Sequence, residues 1–342
     1  MTATIKDVAR EASVSIATVS RVFNESGPVS NETRRRVREV AERLRYAPHW
    51  GARSLITSRT NTLGALLPTL FGEFFSEVIR GMDQAAKKRG YHLLVSCSHN
   101  AKTETEAAIR AMRGRVDGLI AGSPHLDAPS LAANVPPTLP IVLLSSPMTR
   151  RGYDALTIEN RRGARAMVRH LVGLGHRRIA IITGAAGSYD AAERLVGFRA
   201  AMRDAGIDVP NEWELPGHFT EDSGYRAVAP LLAITPRPTA VFAANDSMAI
   251  GAMSALREAG LRVPEDIAVT GFDDAPIARY MSPPLTSVHV AIAELGARAV
   301  EILLHAVDSK NEHDRRHHRI PATLVIRDSC GARLQHQGSG RL

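Results

Sequence analysis

A short run of side chains near the amino terminus has the chemistry needed to contact base edges in DNA. Its small, polar and arginine residues are Ser15, Ile16, Ala17, Thr18, Ser20 and Arg21. Arginine can form two hydrogen bonds with guanine, and the methyl groups of threonine and alanine can contact the methyl group of thymine. On one face of a helix, these side chains would fit the major groove.

The surrounding sequence predicts the helices that would position this run. Apolar residues at helical spacing, Ile5, Val8, Ala9 and Ala12, follow Thr4, which forms a capping-box start with Asp7. Ser15 is placed to cap a second helix, whose apolar face is Val19, Val22 and Phe23. The segment therefore predicts two helices joined by a short turn.

A third helix is predicted behind Ser30, and its surface is strongly basic. Its apolar positions are Val37, Val40, Ala41 and Leu44, and its arginines are Arg34, Arg35, Arg36, Arg38, Arg43 and Arg45. A helix pair alone is equally compatible with a small helical core that has no DNA role. Three short helices with one basic surface favour a helix-turn-helix domain.

The distribution of charge agrees with an anionic partner for this segment. The 342-residue chain has a formal net charge of +8 and a pI near 9.9. Residues 1–60 hold 11 Lys and Arg against 6 Asp and Glu, a net charge of +5. Most of the basic excess therefore lies in the predicted DNA-binding part, although basic balance alone also suits ordinary solubility.

The order of motifs resembles one family of bacterial regulators. The run Thr4–Asn24, followed by Tyr46-Ala-Pro48 and by Ala52-Arg-Ser-Leu55, is similar to the headpiece and hinge of the lactose-repressor/galactose-repressor family. The resemblance implies that a paired hinge folds on DNA and that Leu55 wedges into the minor groove, with Arg53 and Ser54 nearby. The predicted DNA contacts are Thr4, Ser15, Ile16, Ala17, Thr18, Ser20, Arg21, Arg53, Ser54 and Leu55.

From Thr62 the sequence changes to short apolar runs that alternate with amphipathic stretches. Runs such as Leu63–Leu67 and Ile141–Leu144 are too short for helices and suit parallel strands covered on both faces. A second series begins near Asn160, and two consecutive α/β halves imply a ligand cleft between them. The resemblance extends to about residue 327 and implies a periplasmic-binding-protein fold for this part.

These observations predict the fold class α + α/β, with an N-terminal helix-turn-helix headpiece and hinge followed by a two-lobed periplasmic-binding-protein-like domain. The predicted bounds are 1–46 for the headpiece, 47–61 for the hinge, 62–330 for the effector-binding and dimerisation domain, and 331–342 for a tail. Within the large domain we expect lobe one at 62–160 and 290–320, and lobe two at 161–289 and 321–330.

The predicted effector site combines residues at the ends of strands with family positions. Asp246 and Asp273 follow predicted strands, where an aspartate also commonly caps the next helix. The resemblance carries an effector role to Arg194, Phe219 and Asn245 and extends it to Phe75 and Ser123. Charged, amide and aromatic groups of this kind suit the hydroxyls and the apolar ring face of a sugar.

Three other interpretations receive less support from the sequence. Thr183-Gly-Ala-Ala-Gly187 lacks the third glycine of a dinucleotide-binding fingerprint, so an NAD(P)-dependent oxidoreductase is not favoured. His313, His317 and His318 lie among charged residues without a metal-ligand framework, and a solvated loop is the simpler interpretation. The sequence predicts no catalytic residues, metal or cofactor, and the headpiece argues against a purely ligand-binding transport receptor.

The chain is therefore predicted to be a homodimeric repressor that binds pseudo-palindromic double-stranded operator DNA and responds to a small effector, a sugar or sugar derivative. Cys97 and Cys330 are far apart and show no metal spacing, as expected in a reducing cytoplasm, where the protein would associate with the nucleoid. The absence of an apolar signal core and of an apolar run of about 18 residues argues against secretion and membrane insertion.

Overall fold

Three helices at the amino terminus pack around a small apolar core. They are α1 (Ile5–Glu11), α2 (Ile16–Asn24) and α3 (Asn31–Arg43). The buried side chains are those of the predicted apolar faces, with Val8, Val19 and Val37 completely enclosed. This computed structural model describes residues 3–24, 26–46, 59–99, 101–123, 128–146, 153–309 and 315–332.

The predicted caps of these helices are present. The backbone N–H and the hydroxyl of Thr4 both donate to Asp7 Oδ2, at 3.0 and 2.7 Å. Ser15 Oγ accepts a hydrogen bond from the N–H of Thr18 at 3.1 Å, and Ser30 Oγ accepts from the N–H of Thr33 at 3.2 Å. Each cap satisfies a backbone donor that the first turn of a helix leaves without a partner.

The chain divides into two compact units, Met1–Thr62 with Gly114–Asp117, and Leu63–Arg113 with Gly118–Leu342. The second unit contains two six-stranded sheets, and we call the part built on each sheet a lobe. No helix among the described residues is long and apolar enough to cross a membrane.

Lobe one is built on a sheet with strand order β11-β5-β4-β3-β1-β2. Its strands are β1 (Thr62–Leu67), β2 (His92–Cys97), β3 (Gly118–Ala121), β4 (Ile141–Leu144), β5 (Asp154–Ile158) and β11 (His317–Ile320), and its helices are α4 (Glu73–Lys88), α5 (Lys102–Met112), α6 (Ala128–Asn134) and α11 (Ile292–Asp308). The pairings from β1 through β3, β4 and β5 to β11 are parallel. The central strands β3, β4 and β5 are buried along their whole length, which explains the continuous apolar runs of β3 and β4.

Lobe two is built on a sheet with strand order β12-β10-β9-β8-β6-β7. Its strands are β6 (Ile179–Ile182), β7 (Glu214–Leu215), β8 (Ala240–Ala243), β9 (Ala268–Asp273), β10 (Thr286–Val290) and β12 (Ala322–Val325), and its helices are α7 (Asn160–Gly173), α8 (Tyr189–Asp204), α9 (Glu221–Ala233) and α10 (Asp246–Glu258), with 3₁₀ helices at Asn211–Trp213 and Pro276–Tyr280. The edge strand β12 pairs antiparallel with β10, and the other pairings described are parallel.

The chain passes between the two sheets three times. It leaves lobe one between β5 and α7, returns between β10 and α11, and enters lobe two again between β11 and β12. The carboxyl ends of parallel strands carry the loops that bind ligands in folds of this type. The ends of β8 and β9 therefore define the candidate site in lobe two.

Two glycines bring α9 and α10 into close contact at this site. A Cβ atom at Gly224 would collide with the backbone of Met248, and one at Gly251 would collide with the backbone of Glu221. Because each glycine faces the backbone of the other helix, the first turns of both helices lie side by side. This contact fixes the loops that precede α9 and α10.

Candidate functional site

The predicted DNA-reading face lies on the outside of α2. Ile16, Ala17 and Arg21 are exposed, whereas Val19 and Val22 are completely buried. Thr18 and Ser20 are half-buried: the Thr18 hydroxyl lies 2.9 Å from Ser15 Oγ, and Ser20 Oγ accepts a hydrogen bond from Asn24 at 3.1 Å. The exposed residues are therefore available for base contacts, and the half-buried ones also stabilise the helix start and end.

The predicted hinge contacts Arg53, Ser54 and Leu55 lie outside the residues that the structure describes. Their DNA-binding roles remain predictions. Thr4, the remaining predicted contact in this unit, is exposed and caps α1 as described above.

In lobe two, Arg194 is a buried cation held by polar groups on several elements. It projects from α8 with a relative exposure of 3%. Its Nε donates to Asn160 Oδ1 at 2.8 Å, its Nη1 donates to the carbonyl of Ala244, and its Nη2 lies 3.0 Å from Asp273 Oδ1. All three guanidinium nitrogens are thus engaged within the protein.

Aromatic rings surround the same guanidinium group. The Arg194 Cζ atom lies 3.7 Å from the centroid of the Phe272 ring and 5.9 Å from that of Phe219. A guanidinium over an aromatic face is stabilised by the negative charge of the ring face, and more so where water is excluded. The guanidinium of Arg194 is therefore held by polar and aromatic groups of the protein on several sides.

Asp273 ends β9 in an unusual backbone conformation. Its φ angle is 107°, a region that favours glycine, and Asp274 follows with φ 52°. Burial raises the pKa of the Asp273 carboxyl to about 6, although the neighbouring Arg194 opposes this shift. Strained backbone with a perturbed carboxyl at a strand end is typical of a functional site.

Phe219 has a similar position after β7. It has φ 65°, it is half-buried, and a Cβ atom at Gly184 would collide with its ring. Gly184 belongs to the Thr183-Gly-Ala-Ala-Gly187 segment that superficially resembles a dinucleotide-binding loop. The contact with Phe219 supplies a packing reason for a glycine at this position.

Asn245 and Asp246 have structural partners at the start of α10. Asn245 is the N-cap: its Oδ1 accepts from the N–H of Met248 at 3.0 Å, and its Nδ2 donates to the Phe219 carbonyl at 3.1 Å. The Asp246 carboxylate accepts from the N–H of Ala275 at 2.7 Å and from the Ser287 hydroxyl. Burial and the charge of Asp273 raise the pKa of Asp246 well above its usual range. Their roles as effector contacts remain predictions.

A cavity of about 240 Å³ lies between the start of α4 in lobe one and the loops of lobe two. Three predicted residues, Asn245, Asp246 and Asp273, line it. From lobe one the lining includes Phe74, which forms an edge-to-face pair with Phe75 at 5.2 Å between centroids. Ser123, half-buried after β3, lies 3.2 Å from the Thr105 hydroxyl.

The structure thus gathers the predicted residues in two groups. Phe219 and Asp273 lie beside the buried guanidinium of Arg194, and Asn245, Asp246 and Asp273 line the cavity, with Asp273 common to both groups. Sequence reasoning missed Asn160 and Phe272, which contact Arg194, and Glu73, which lines the cavity. Phe272 had a usable signal, because it precedes Asp273 in the same strand.

The solvated loop expected for the histidine cluster is wrong for His317 and His318, which are half-buried in strand β11. His317 lies 2.7 Å from the Thr157 hydroxyl on the neighbouring strand, and His313 falls outside the described residues. No group of three or more potential ligands with the geometry to hold a metal ion is present in the described parts of the chain.

Comparison with known proteins supports the same two-part organisation. Residues 4–49 match the family described as bacterial regulatory proteins, lacI family, and residues 168–330 match the periplasmic binding protein-like domain. The chain is 40% identical to the HTH-type transcriptional repressor PurR of Aliivibrio fischeri, over 97% of this chain and 100% of that protein. It is 38% identical to the ribose operon repressor of Escherichia coli K12, over 89% of this chain and 93% of that protein.

The fold is also similar to that of a solved DNA complex. The crystal structure of the Lac repressor dimer bound to operator and the anti-inducer ONPF matches with a TM-score of 0.85 and 30% identity, over 96% of this chain and 99% of that chain. The sequence and structural matches both include the headpiece and the two-lobed part.

Proposed function

The chain belongs to the lacI family of bacterial regulatory proteins and is a DNA-binding transcriptional repressor, and from this premise we propose that a carbohydrate effector controls its binding to operator DNA. We propose further that it acts as a homodimer on a pseudo-palindromic site, in the cytoplasm and associated with the nucleoid. Two-fold symmetric dimers place two reading helices on half-sites related by the same symmetry.

The buried ion pair between Arg194 and Asp273 is the observation that carries the effector proposal. It lies at the carboxyl end of β9 beside the rings of Phe219 and Phe272. Sugar hydroxyls both donate and accept hydrogen bonds, so they can bind an aspartate and an asparagine together while the sugar's apolar face stacks on a ring. The ribose operon repressor among the relatives also favours a carbohydrate.

The DNA-binding proposal assigns different tasks to different residues. The exposed side chains Ile16, Ala17 and Arg21 contact base edges in the major groove, and Leu55 enters the minor groove from the hinge. The basic residues of α3 contribute sequence-independent attraction to phosphates. Sequence preference therefore comes from α2 and the hinge.

The two activities are coupled by a shift between conformations. The effector has different affinities for two arrangements of the lobes, closes the cleft in one of them, and thereby changes the relative position of the two hinges in the dimer. The change in operator affinity is limited by the ligand's differential affinity for the two arrangements.

The proposal is tested by a sugar screen followed by a DNA-binding assay. A sugar that binds the folded protein raises its melting temperature by mass action, and the same sugar should then change operator affinity in a mobility-shift assay. A ligand-binding receptor without a DNA role would show the melting shift but no salt-dependent binding to promoter DNA.

A further inference from the structure

The cavity between the lobes is surrounded by carboxylates. Glu73, Glu221, Asp246 and Asp273 all line it, and the described lining includes no lysine, arginine or histidine. Two of these groups, Asp246 and Asp273, are almost completely buried, at 2% and 4% relative exposure. An anion placed here would lose its hydration shell and lie beside the carboxylates of Glu73 and Glu221, which carry its own sign, whereas Asp246, with its raised pKa, contributes less negative charge.

Arg194, the buried cation beside the cavity, cannot compensate for the negative charge of these carboxylates. Arg194 directs its three nitrogens to Asn160, Ala244 and Asp273, and its charge is balanced by Asp273. Arg194 does not line the cavity, so a phosphate or carboxylate bound there would have to draw the guanidinium away from Asp273 to pair with it. Such an exchange leaves Asp273 buried without its counter-charge, which is strongly unfavourable.

We infer that this site accepts small uncharged or cationic polyols and rejects phosphorylated or carboxylated ones. The inference rests on the proposed function, because it takes the cavity lined by Asp273 as the effector site. A volume of about 240 Å³ lies below the range of about 300–1,000 Å³ that is usual for drug-sized ligands, so a monosaccharide fits better than a larger glycoside.

Glu73 makes this selection from the lobe-one side of the cavity. It is exposed at the first turn of α4, and its Oε2 accepts a hydrogen bond from the N–H of Ile277 in the other lobe at 3.0 Å. Its partner is a backbone amide, and among the described residues no cationic side chain forms an ion pair with it. Its carboxylate therefore lies beside the cavity at a contact between the two lobes.

The test compares each sugar with its own charged derivatives by isothermal titration calorimetry on the full-length protein. The probes are ribose, glucose, galactose, glucosamine, ribose 5-phosphate, glucose 6-phosphate and gluconate. We expect at least one neutral or amino sugar to bind and its phosphate or aldonate to bind on the order of 100-fold more weakly. A phosphate ester or aldonate that binds as tightly as its parent sugar would overturn the inference and leave the proposed carbohydrate effector standing. No binding by any probe would overturn the carbohydrate proposal itself, and the inference with it.

The role of Glu73 is tested with a matched pair of variants. Glu73→Gln removes the charge but keeps an oxygen that can accept the Ile277 N–H, whereas Glu77→Gln removes a charge on the same helix that is paired with Arg80 and does not line the cavity. The discrimination against the phosphate ester should fall by about 5- to 10-fold in Glu73→Gln and stay unchanged in Glu77→Gln. Equal discrimination in both variants would show that Glu73 does not select the ligand.

Discussion

Arg194 and Asp273 form an ion pair across 3.0 Å in which the side chains are only 3% and 6% exposed. Each residue is costly to bury alone, and each also contributes to the candidate site. A buried pair of this kind does not by itself increase stability, but removing one partner leaves a charge without compensation. Structural and ligand-binding roles therefore have to be separated experimentally.

Replacement of Asp273 should abolish the effector response without abolishing DNA binding. Asp273→Ala or Asp273→Asn removes the charged acceptor, so a sugar that raises the melting temperature of the wild type should give almost no shift. Operator affinity should persist in mobility-shift assays, because the headpiece belongs to a separate compact unit. A retained effector response would contradict the site assignment.

The same variants need a stability control, because breaking a buried pair costs about 3–5 kcal/mol. The double variant Arg194→Gln/Asp273→Asn leaves neither charge unpaired and should recover part of that loss in urea unfolding. If Asp273→Asn loses operator binding and effector response together, and the double variant recovers neither stability nor DNA binding, Asp273 is a structural residue only.

The elevated pKa of Asp273 predicts a specific pH dependence of stability. Because its pKa rises from 3.8 unfolded to about 6 folded, the native state binds the proton more tightly. This contribution to stability is fully present below about pH 4 and is lost as pH rises through about 6, with a total of up to about 3 kcal/mol. Urea unfolding from pH 4 to 7 should show this loss in the wild type. Asp273→Asn should show a smaller loss of stability over this pH range. The same substitution also removes the negative charge that raises the pKa of Asp246. Parallel curves would contradict the assigned pKa.

Arg21 is predicted to contact a base. It is exposed on α2, and Arg21→Ala should cost about 1–3 kcal/mol on the specific operator while leaving binding to random DNA nearly intact. Arg36→Ala on α3 serves as the control, because loss of a phosphate contact weakens binding to both DNAs alike. Equal losses on the two DNAs for Arg21→Ala would exclude the base contact.

Leu55 is predicted to act as a minor-groove wedge. If it inserts between base pairs, Leu55→Ala should reduce operator affinity and DNA bending together, because the kink depends on the inserted side chain. Circular-permutation gels measure the bend, and thermal unfolding checks that the remainder of the chain keeps its fold. Unchanged bending would refute the wedge.

Local patterns predicted most helices and strands in the α/β part, because strands buried on both faces leave a distinctive apolar run. Ile141–Leu144 was predicted with its observed bounds. The strand predicted to end before Asp273 instead spans Ala268–Asp273 and includes that residue. Its extension depends on pairing with β10, where Gly271 and Asp273 face Ser287 and His289. Such boundaries are set by partners distant in sequence and are not visible locally.

In the candidate site, too, the features set by local sequence were predictable and those set by partners distant in sequence were not. The sequence predicted Arg194 from its family position and Asp273 from its place after a predicted strand, but it could not show that Asn160 orients the guanidinium from 34 residues away. Strand β5 was not predicted, because the polar residues Asp154 and Thr157 interrupt its apolar pattern although both are buried. Their burial is possible because Arg316 and His317 supply partners from the far end of the chain.

The contact between Phe219 and Gly184 makes the ligand-binding region a target for engineering. Since the ring occupies the space that any side chain at position 184 would need, the two positions are coupled in size. Gly184→Ala alone should destabilise the protein by about 1–3 kcal/mol through overpacking, and Phe219→Leu in the same chain should relieve much of that cost, as thermal unfolding of the single and double variants would measure. If the double variant is no more stable than Gly184→Ala, the positions are not coupled. A coupled pair allows the aromatic ring beside Arg194 to be exchanged for a smaller aliphatic side chain together with a larger residue at position 184, which would alter the set of ligands that this region accepts.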